Sequence, residues 1–236
     1  MSSVLNTSEA VFSRRRFLGT AFAGTAASLA GAASLSFFAA KPALAQSNLT
    51  PAEALKALLD GNERCVSGRL NSFDEDMKIL RDHTIDKQEP FAAVLSCADS
   101  RVPVEIIFDQ TIGHIFVARV AGHIATPEII GSLEYGAAVL GTRVILVLGH
   151  ANCGAVKAAI QAKAVPGQIS ALFPHLQPAV DQAGSDLAGA TKANASIQAG
   201  LLGKASPVLC PMVKEGKLKI VAGYYDLATG KVSLVV

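Results

Sequence analysis

The chain has 236 residues, 50% of them hydrophobic and 17% charged, with a formal net charge of +2. That composition allows a sizeable buried core and excludes a chain that stays disordered for want of apolar residues. Residues 1–45 carry four basic residues and one acidic residue, so residues 46–236 hold 17 basic against 18 acidic, which argues against a nucleic-acid-binding domain.

The chain opens with the features of an export signal. Ser13-Arg14-Arg15-Arg16-Phe17-Leu18 contains a twin-arginine pattern. An uncharged run rich in Ala, Gly and Ser follows from Phe17 to Ala40, and Ala43-Leu44-Ala45 is an A-x-A cleavage signal. The run is also long enough to stay as an uncleaved anchor. Its many small residues make it weakly hydrophobic, and the cleavage signal favours removal. The expectation is a signal peptide over 1–45, cleaved after Ala45, that engages the twin-arginine translocation machinery. Residues 46–236 would then form an exported, periplasmic domain.

Thr50-Pro51-Ala52-Glu53 combines a capping box with Pro at the first helical position. It predicts a helix to about Val66, with Leu55, Leu58 and Leu59 on one face and Gly61 as a weak point. Residues 67–90 are polar, and a short helix is expected around Glu75–Leu80. Phe91–Ser96 is a short apolar run, read as a buried strand. A short helix over Pro103–Phe108 and a strand over Ile115–Val120 follow. Thr126-Pro127-Glu128 starts a helix carrying Ile129, Ile130, Leu133, Tyr135 and Leu140, with Gly141 just past its end. Arg143–Leu148 is continuous and rich in β-branched residues, the strongest strand signal in the chain. A helix runs from Gly154 to about Ala162. Residues 168–206 read as helix interrupted at Pro174, Pro178, Gly184 and Gly200. Leu218–Tyr225 and Lys231–Val235 are strands joined by a turn at Ala228-Thr229-Gly230. This alternation predicts an α/β fold, a mostly parallel central β-sheet flanked by helices, with the last two strands as an antiparallel edge.

Two motifs fall where such a sheet places its ligands, beyond the carboxyl ends of strands. Cys97-Ala98-Asp99-Ser100-Arg101 follows the strand 91–96. His150-Ala151-Asn152-Cys153 follows the strand 143–148. Cys97, His150 and Cys153 form the nitrogen-and-sulfur ligand set that zinc prefers, and three protein ligands leave one position open, as catalytic sites do. Zinc in such a site lowers the pKa of a bound water to about 7 and makes hydroxide available near neutral pH. Asp99 can accept a hydrogen bond from that hydroxide, or bind the metal itself as a fourth ligand. Arg101 is suited to hold Asp99 off the metal as a bidentate partner. A Cys–His nucleophile pair competes with this reading but leaves the second Cys and the Asp–Arg pair unexplained. Cys65 and Cys210 read either as small buried hydrophobes or as a disulfide.

The pattern C-x-D-S-R…H-x-x-C resembles that of the β-class carbonic anhydrases. Further family-like segments are Gln88-Glu89-Pro90-Phe91, Gly113-His114-Ile115-Phe116-Val117-Ala118-Arg119, Ser132-Leu133-Glu134-Tyr135 and Gly149 to Gly154. Lys217–Val221, Tyr225-Asp226-Leu227 and Thr229-Gly230 complete the set. The resemblance implies that Cys97, His150 and Cys153 bind one Zn2+ per subunit, with Asp99 and Arg101 as the catalytic pair. It implies that Gln88 binds substrate across a dimer interface and that Phe116 and Tyr135 line an apolar pocket, with Ala121 at a neighbouring small position. The implied reaction is reversible hydration of carbon dioxide to bicarbonate and a proton, in a homodimer or a multiple of dimers. Rival readings are hydrolysis of carbon disulfide or carbonyl sulfide on the same fold, and a non-catalytic zinc-binding periplasmic protein. Three positions depart from the family pattern. Val120 and His123 stand where many relatives have Asn, and His114 stands where an acidic residue is common. No Trp is present, so a Trp-based bicarbonate regulatory site is not expected.

Overall fold

The computed structural model describes residues 47–72 and 77–235. The twin-arginine segment, the cleavage signal and the 45/46 domain boundary lie outside these residues, as does the expected helix start at Glu75. Among the described residues, no helix is long and apolar enough to cross a membrane.

Helix α1 spans Pro51–Val66 and starts as its capping box dictates: Thr50 accepts from the Glu53 amide, and the Glu53 carboxylate accepts from the Thr50 amide. Such a cap is worth ~1 kcal/mol. Helix α2 covers Met77–Thr84. Strand β1, Ala92–Ser96, is buried along its whole length. The short α3, Val104–Ile107, leads to the edge strand β2, Ile115–Arg119. Helix α4, Pro127–Ala138, precedes β3, Val144–His150, all seven residues of which are buried. Helix α5 is Gly154–Gln161, and a 3₁₀ turn at Gly167–Leu172 runs into α6, Phe173–Ala183. Helices α7, Leu187–Ala205, and α8, Leu209–Lys214, precede β4, Lys219–Tyr225, and β5, Val232–Val235.

The five strands lie in the order β2-β1-β3-β4-β5. The first four are parallel, and β5 pairs antiparallel with β4 at the edge, as the strand pattern predicts. Alternate residues of β1 and β3 face opposite sides. Val94, Leu146 and Leu148 pack with Leu58 of α1 and Phe108. Leu95, Ile145 and Val147 pack with Leu133 of α4, Leu202 of α7 and Leu209 of α8. Each fully buried Leu or Ile of these layers contributes roughly 1.5–3 kcal/mol. A third cluster caps the carboxyl end of the sheet, where Cys97 and Cys153 pack with Ile124, Val156 and Leu176.

Several departures from the sequence pattern have tertiary causes. Strand β3 continues two residues beyond Leu148, because Gly149 and His150 pair with Tyr224 and Tyr225 of β4. His150 therefore ends a strand instead of following one. The region 168–206 breaks at Gly184 (φ +62), but Pro178 sits inside α6 and Gly200 inside α7 without interrupting either. Gly61 is required in α1, since a Cβ there would come within 1.9 Å of the Phe108 carbonyl oxygen. Cys65 and Cys210 are both free. They lie on α1 and α8, which pack on opposite sides of the sheet, so the disulfide is excluded.

Candidate metal centre

The two motif segments meet because β1 and β3 are adjacent and parallel, which brings their carboxyl ends side by side. Cys97 follows β1, His150 ends β3, and Asn152 turns the chain with φ +53 so that Cys153 caps α5. The Sγ atoms of Cys97 and Cys153 and a ring nitrogen of His150 all lie within 4.8 Å of one another, and all three residues are buried. His150 Nδ1 lies 2.9 Å from the Ala151 carbonyl oxygen and donates to it. That bond puts the proton on Nδ1 and leaves Nε2 as a bare lone pair, buried and without a hydrogen-bond partner. A buried orphan acceptor beside two sulfurs fits a metal ligand, and the Nδ1 bond is the kind that orients one.

The sulfurs are prepared for this role by different neighbours. The Cys97 thiol is held far below the usual thiol range by its hydrogen bond with Cys153, against the effect of burial, with help from the Gly122 amide. That amide donates to Cys97 Sγ at 3.4 Å. The Cys153 thiol is pushed up by the same Cys97 bond and by burial, while the Ala155 and Val156 amides at the start of α5 pull it down.

Asp99 stands at the rim. Its Oδ1 accepts from Arg101 Nε at 2.9 Å and from the Arg101 amide at 3.0 Å, and its Oδ2 accepts from Arg101 Nη2 at 2.7 Å. The Arg101 side chain therefore holds the carboxyl well below the ordinary carboxylate range, burial opposing, with further help from the Arg101 amide. Oδ2 lies 3.9 Å from His150 Nε2. Arg101 also reaches the Asn152 carbonyl at 3.4 Å, linking the two motif segments.

Arg119, at the end of β2, supplies a brace that motif reasoning left without a role. Its Nε donates to the Cys97 carbonyl at 2.9 Å and its Nη2 to the Asp99 carbonyl. The available signal was a charged residue closing an apolar strand. The other site candidates lie elsewhere in the single chain. Gln88 is exposed in the segment entering β1, at the opposite end of that strand from Cys97. Phe116 pairs with Ala93 in the sheet and packs beneath Gly136. Tyr135, 48% exposed on α4, lies with its ring 6.4 Å from that of Phe116. His114 is exposed, with Nδ1 3.3 Å from the Thr111 hydroxyl. His123 is fully buried, and burial pushes it down to about 4, although the Cys97 sulfur and the Thr191 carbonyl pull it up. That favours the neutral imidazole near pH 7.

A family model described as carbonic anhydrase matches residues 92–232, a span that includes every residue of the buried cluster and its rim. The chain belongs to the carbonic anhydrase family. Carbonic anhydrase 2 of Mycobacterium tuberculosis is 47% identical over 118 residues, covering 49% of this chain and 55% of that protein. The carbonic anhydrase of Mycolicibacterium smegmatis is 45% identical over 115 residues, with the same coverage of 49% and 55%. The chain thus spans about half the length of these relatives. That of Pseudomonas aeruginosa is 29% identical over 162 residues, 62% of this chain and 73% of its own. Among solved structures, a tetrameric β-carbonic anhydrase of Sordaria macrospora superposes with a TM-score of 0.63 at 20% identity, over 67% of this chain and 87% of that one. A Coccomyxa β-carbonic anhydrase in complex with acetazolamide gives 0.59 at 23% identity, over 78% and 85%. These structural matches establish the β-class fold.

Proposed function

We propose that this chain is a zinc-dependent carbonic anhydrase that interconverts carbon dioxide and bicarbonate. The observation that carries the reading is the buried Cys97–His150–Cys153 group, with its bare Nε2, beside an ionised Asp99 clamped by Arg101. The two sulfurs and His150 Nε2 would hold the ion, and the His150 Nδ1–H bond to Ala151 fixes the ring for it. Zinc so held supplies the chemistry of an acidified water, with a pKa lowered to about 7.

The residues of the chain do the rest. Asp99 stays ionised across the working pH range, so it accepts a hydrogen bond from the attacking water and aims its lone pair. Water oxygen forms the new bond to the carbon, one C=O electron pair moves onto oxygen, and the released proton leaves to solvent or buffer. Arg101 occupies both carboxylate oxygens of Asp99, with Oδ2 held 3.9 Å from His150 Nε2. Asp99 becomes a fourth ligand only if that fork breaks, which would close the site.

Gln88, at the far end of β1, would reach substrate from a second subunit, in a homodimer or a multiple of dimers. Phe116, on the edge strand β2, and the half-exposed Tyr135 would complete an apolar pocket at that boundary. The Arg14-Arg15-Arg16 pattern and Ala43-Leu44-Ala45 support export by the twin-arginine machinery, cleavage after Ala45 and a periplasmic location for residues 46–236.

Stopped-flow carbon dioxide hydration by the zinc-loaded chain from residue 46 onward tests the reading. Activity that rises from mildly acidic to alkaline pH is expected. Stoichiometric zinc with no hydration at either pH would overturn it.

A further inference from the structure

Helix α7 carries a buried polar face that the reaction does not use. Thr191, Asn194 and Gln198 are at most 2% exposed, on a helix otherwise rich in Ala and Gly. A buried amide is costly unless its partners are supplied, and here the partners outside α7 lie in one loop, residues 120–125, or in α6. The direction of every bond follows from a single backbone group. The Ala125 amide can only donate, so Gln198 Oε1 is the atom that accepts it, at 3.0 Å. Gln198 Nε2 then donates to the His175 carbonyl at 3.2 Å and to Asn194 Oδ1 at 3.1 Å. Asn194 Nδ2 is left with two protons for two acceptors, the Gly122 carbonyl at 2.8 Å and His123 Nε2 at 2.9 Å.

The loop held in this way is conformationally costly. Gly122 and His123 are consecutive residues in the left-handed region, with φ +79 and +45, and the second is not a glycine. Beside the packing of Ile124 on the two cysteines, the loop donates one hydrogen bond to the metal centre, from the Gly122 amide to Cys97 Sγ. The same helix presses on the other ligand-bearing segment. A Cβ at Gly149, next to His150, would come within 2.9 Å of Thr191 Cγ2.

We infer that Asn194 is a positioning residue for the metal centre: by gripping the Gly122 carbonyl and the His123 ring, it holds the Gly122 amide against the Cys97 sulfur. The inference rests on the zinc reading of the Cys97–His150–Cys153 group. Asn194 touches no ligand itself. Its effect passes through Gly122, whose carbonyl and amide belong to the peptide units on either side of its Cα: the carbonyl faces the helix and the amide faces the sulfur. Hydrogen bonds to ligand atoms commonly alter metal affinity by about 10- to 100-fold.

The test uses Asn194→Ala and Asn194→Ser, each measured by chelator competition for zinc and by the thiolate-to-metal charge-transfer band of the cobalt-substituted protein. The expected result is a dissociation constant for zinc raised about tenfold and a displaced charge-transfer band. His123→Asn, which removes the ring contact but leaves the Asn194–Gly122 bond in place, should move both readouts in the same direction by less than either Asn194 variant. Variants that melt earlier but bind zinc and cobalt as the wild type does would overturn the inference. So would failure of both Asn194 variants to fold, since that is a structural role. Wild-type protein that binds no zinc would instead sink the metal reading itself.

Discussion

Among the described residues, two Asp–Arg pairs are alike in chemistry and opposite in setting. Asp109, on the loop after α3, is completely buried at its side chain and is bound by Arg64 of α1. It also accepts the amides of Asn71 and Ser72 at 2.9–3.2 Å, so one carboxylate ties three segments together. Asp99 and Arg101 are two residues apart, and Arg101 is half exposed at 52%. Their side-chain hydrogen bonds join no distant segment apart from the Asn152 carbonyl contact. A carboxylate that satisfies several buried donors cannot move without leaving them unpaired. A carboxylate whose partner is exposed can exchange that partner for water or a metal at little cost. The first arrangement suits a rivet and the second a movable group at a reaction centre.

Four experiments would break or sharpen this contrast. The largest effect is expected from Asp99→Ala: hydration activity falls by about 100-fold or more, on the scale of a lost general acid–base group, while zinc content and melting temperature stay near wild type. An activity loss accompanied by loss of zinc would assign Asp99 to metal retention instead. Asp109→Ala should do the reverse. It removes a buried partner and is expected to cost about 3 kcal/mol, roughly 6–12 °C in Tm, with activity per folded molecule unchanged.

The acid limb of stability offers a third, smaller effect. Burial raises the Asp109 pKa, but Arg64 and the Ser72 and Asn71 amides outweigh it and bring the group down to about 2. Because the folded value lies below the unfolded one, the contribution is complete above about pH 4 and fades as pH falls toward 2. Urea melts at pH 5 and pH 3 should therefore show a wild-type loss that is smaller in Asp109→Ala; equal losses would remove Asp109 from the account. The smallest effect is expected from reductant. With Cys65 and Cys210 free on opposite sides of the sheet, reducing agent should leave Tm unchanged in the zinc-loaded protein.

The legible parts of the fold were those with local causes. The Thr50–Glu53 box placed the start of α1, and the apolar runs 91–96 and 143–148 placed the two central strands. The strand ends in turn placed Cys97 near His150 and Cys153, since neighbouring parallel strands expose their carboxyl ends together. The missed parts had partners remote in sequence. The extra length of β3 depends on β4. Gly61 looks like a flaw in a helix until Phe108 arrives against it. Pro178 and Gly200 look like breaks, yet both lie within helices that pack on other elements. Arg119 was visible as part of a motif, but its acceptors are backbone carbonyls 20 or more residues away.

The sequence by itself determined the ligand chemistry, the α/β alternation and the end of the sheet at which the chemistry sits. Those properties follow from side-chain type and from periodicity, which are local. Only the tertiary structure decided which nitrogen of His150 is bare, how Asp99 is clamped, and that Asn194 and Gln198 stand behind the Cys97 loop. A hydrogen bond needs both partners placed to within a few tenths of an ångström, and a linear sequence specifies one partner at a time.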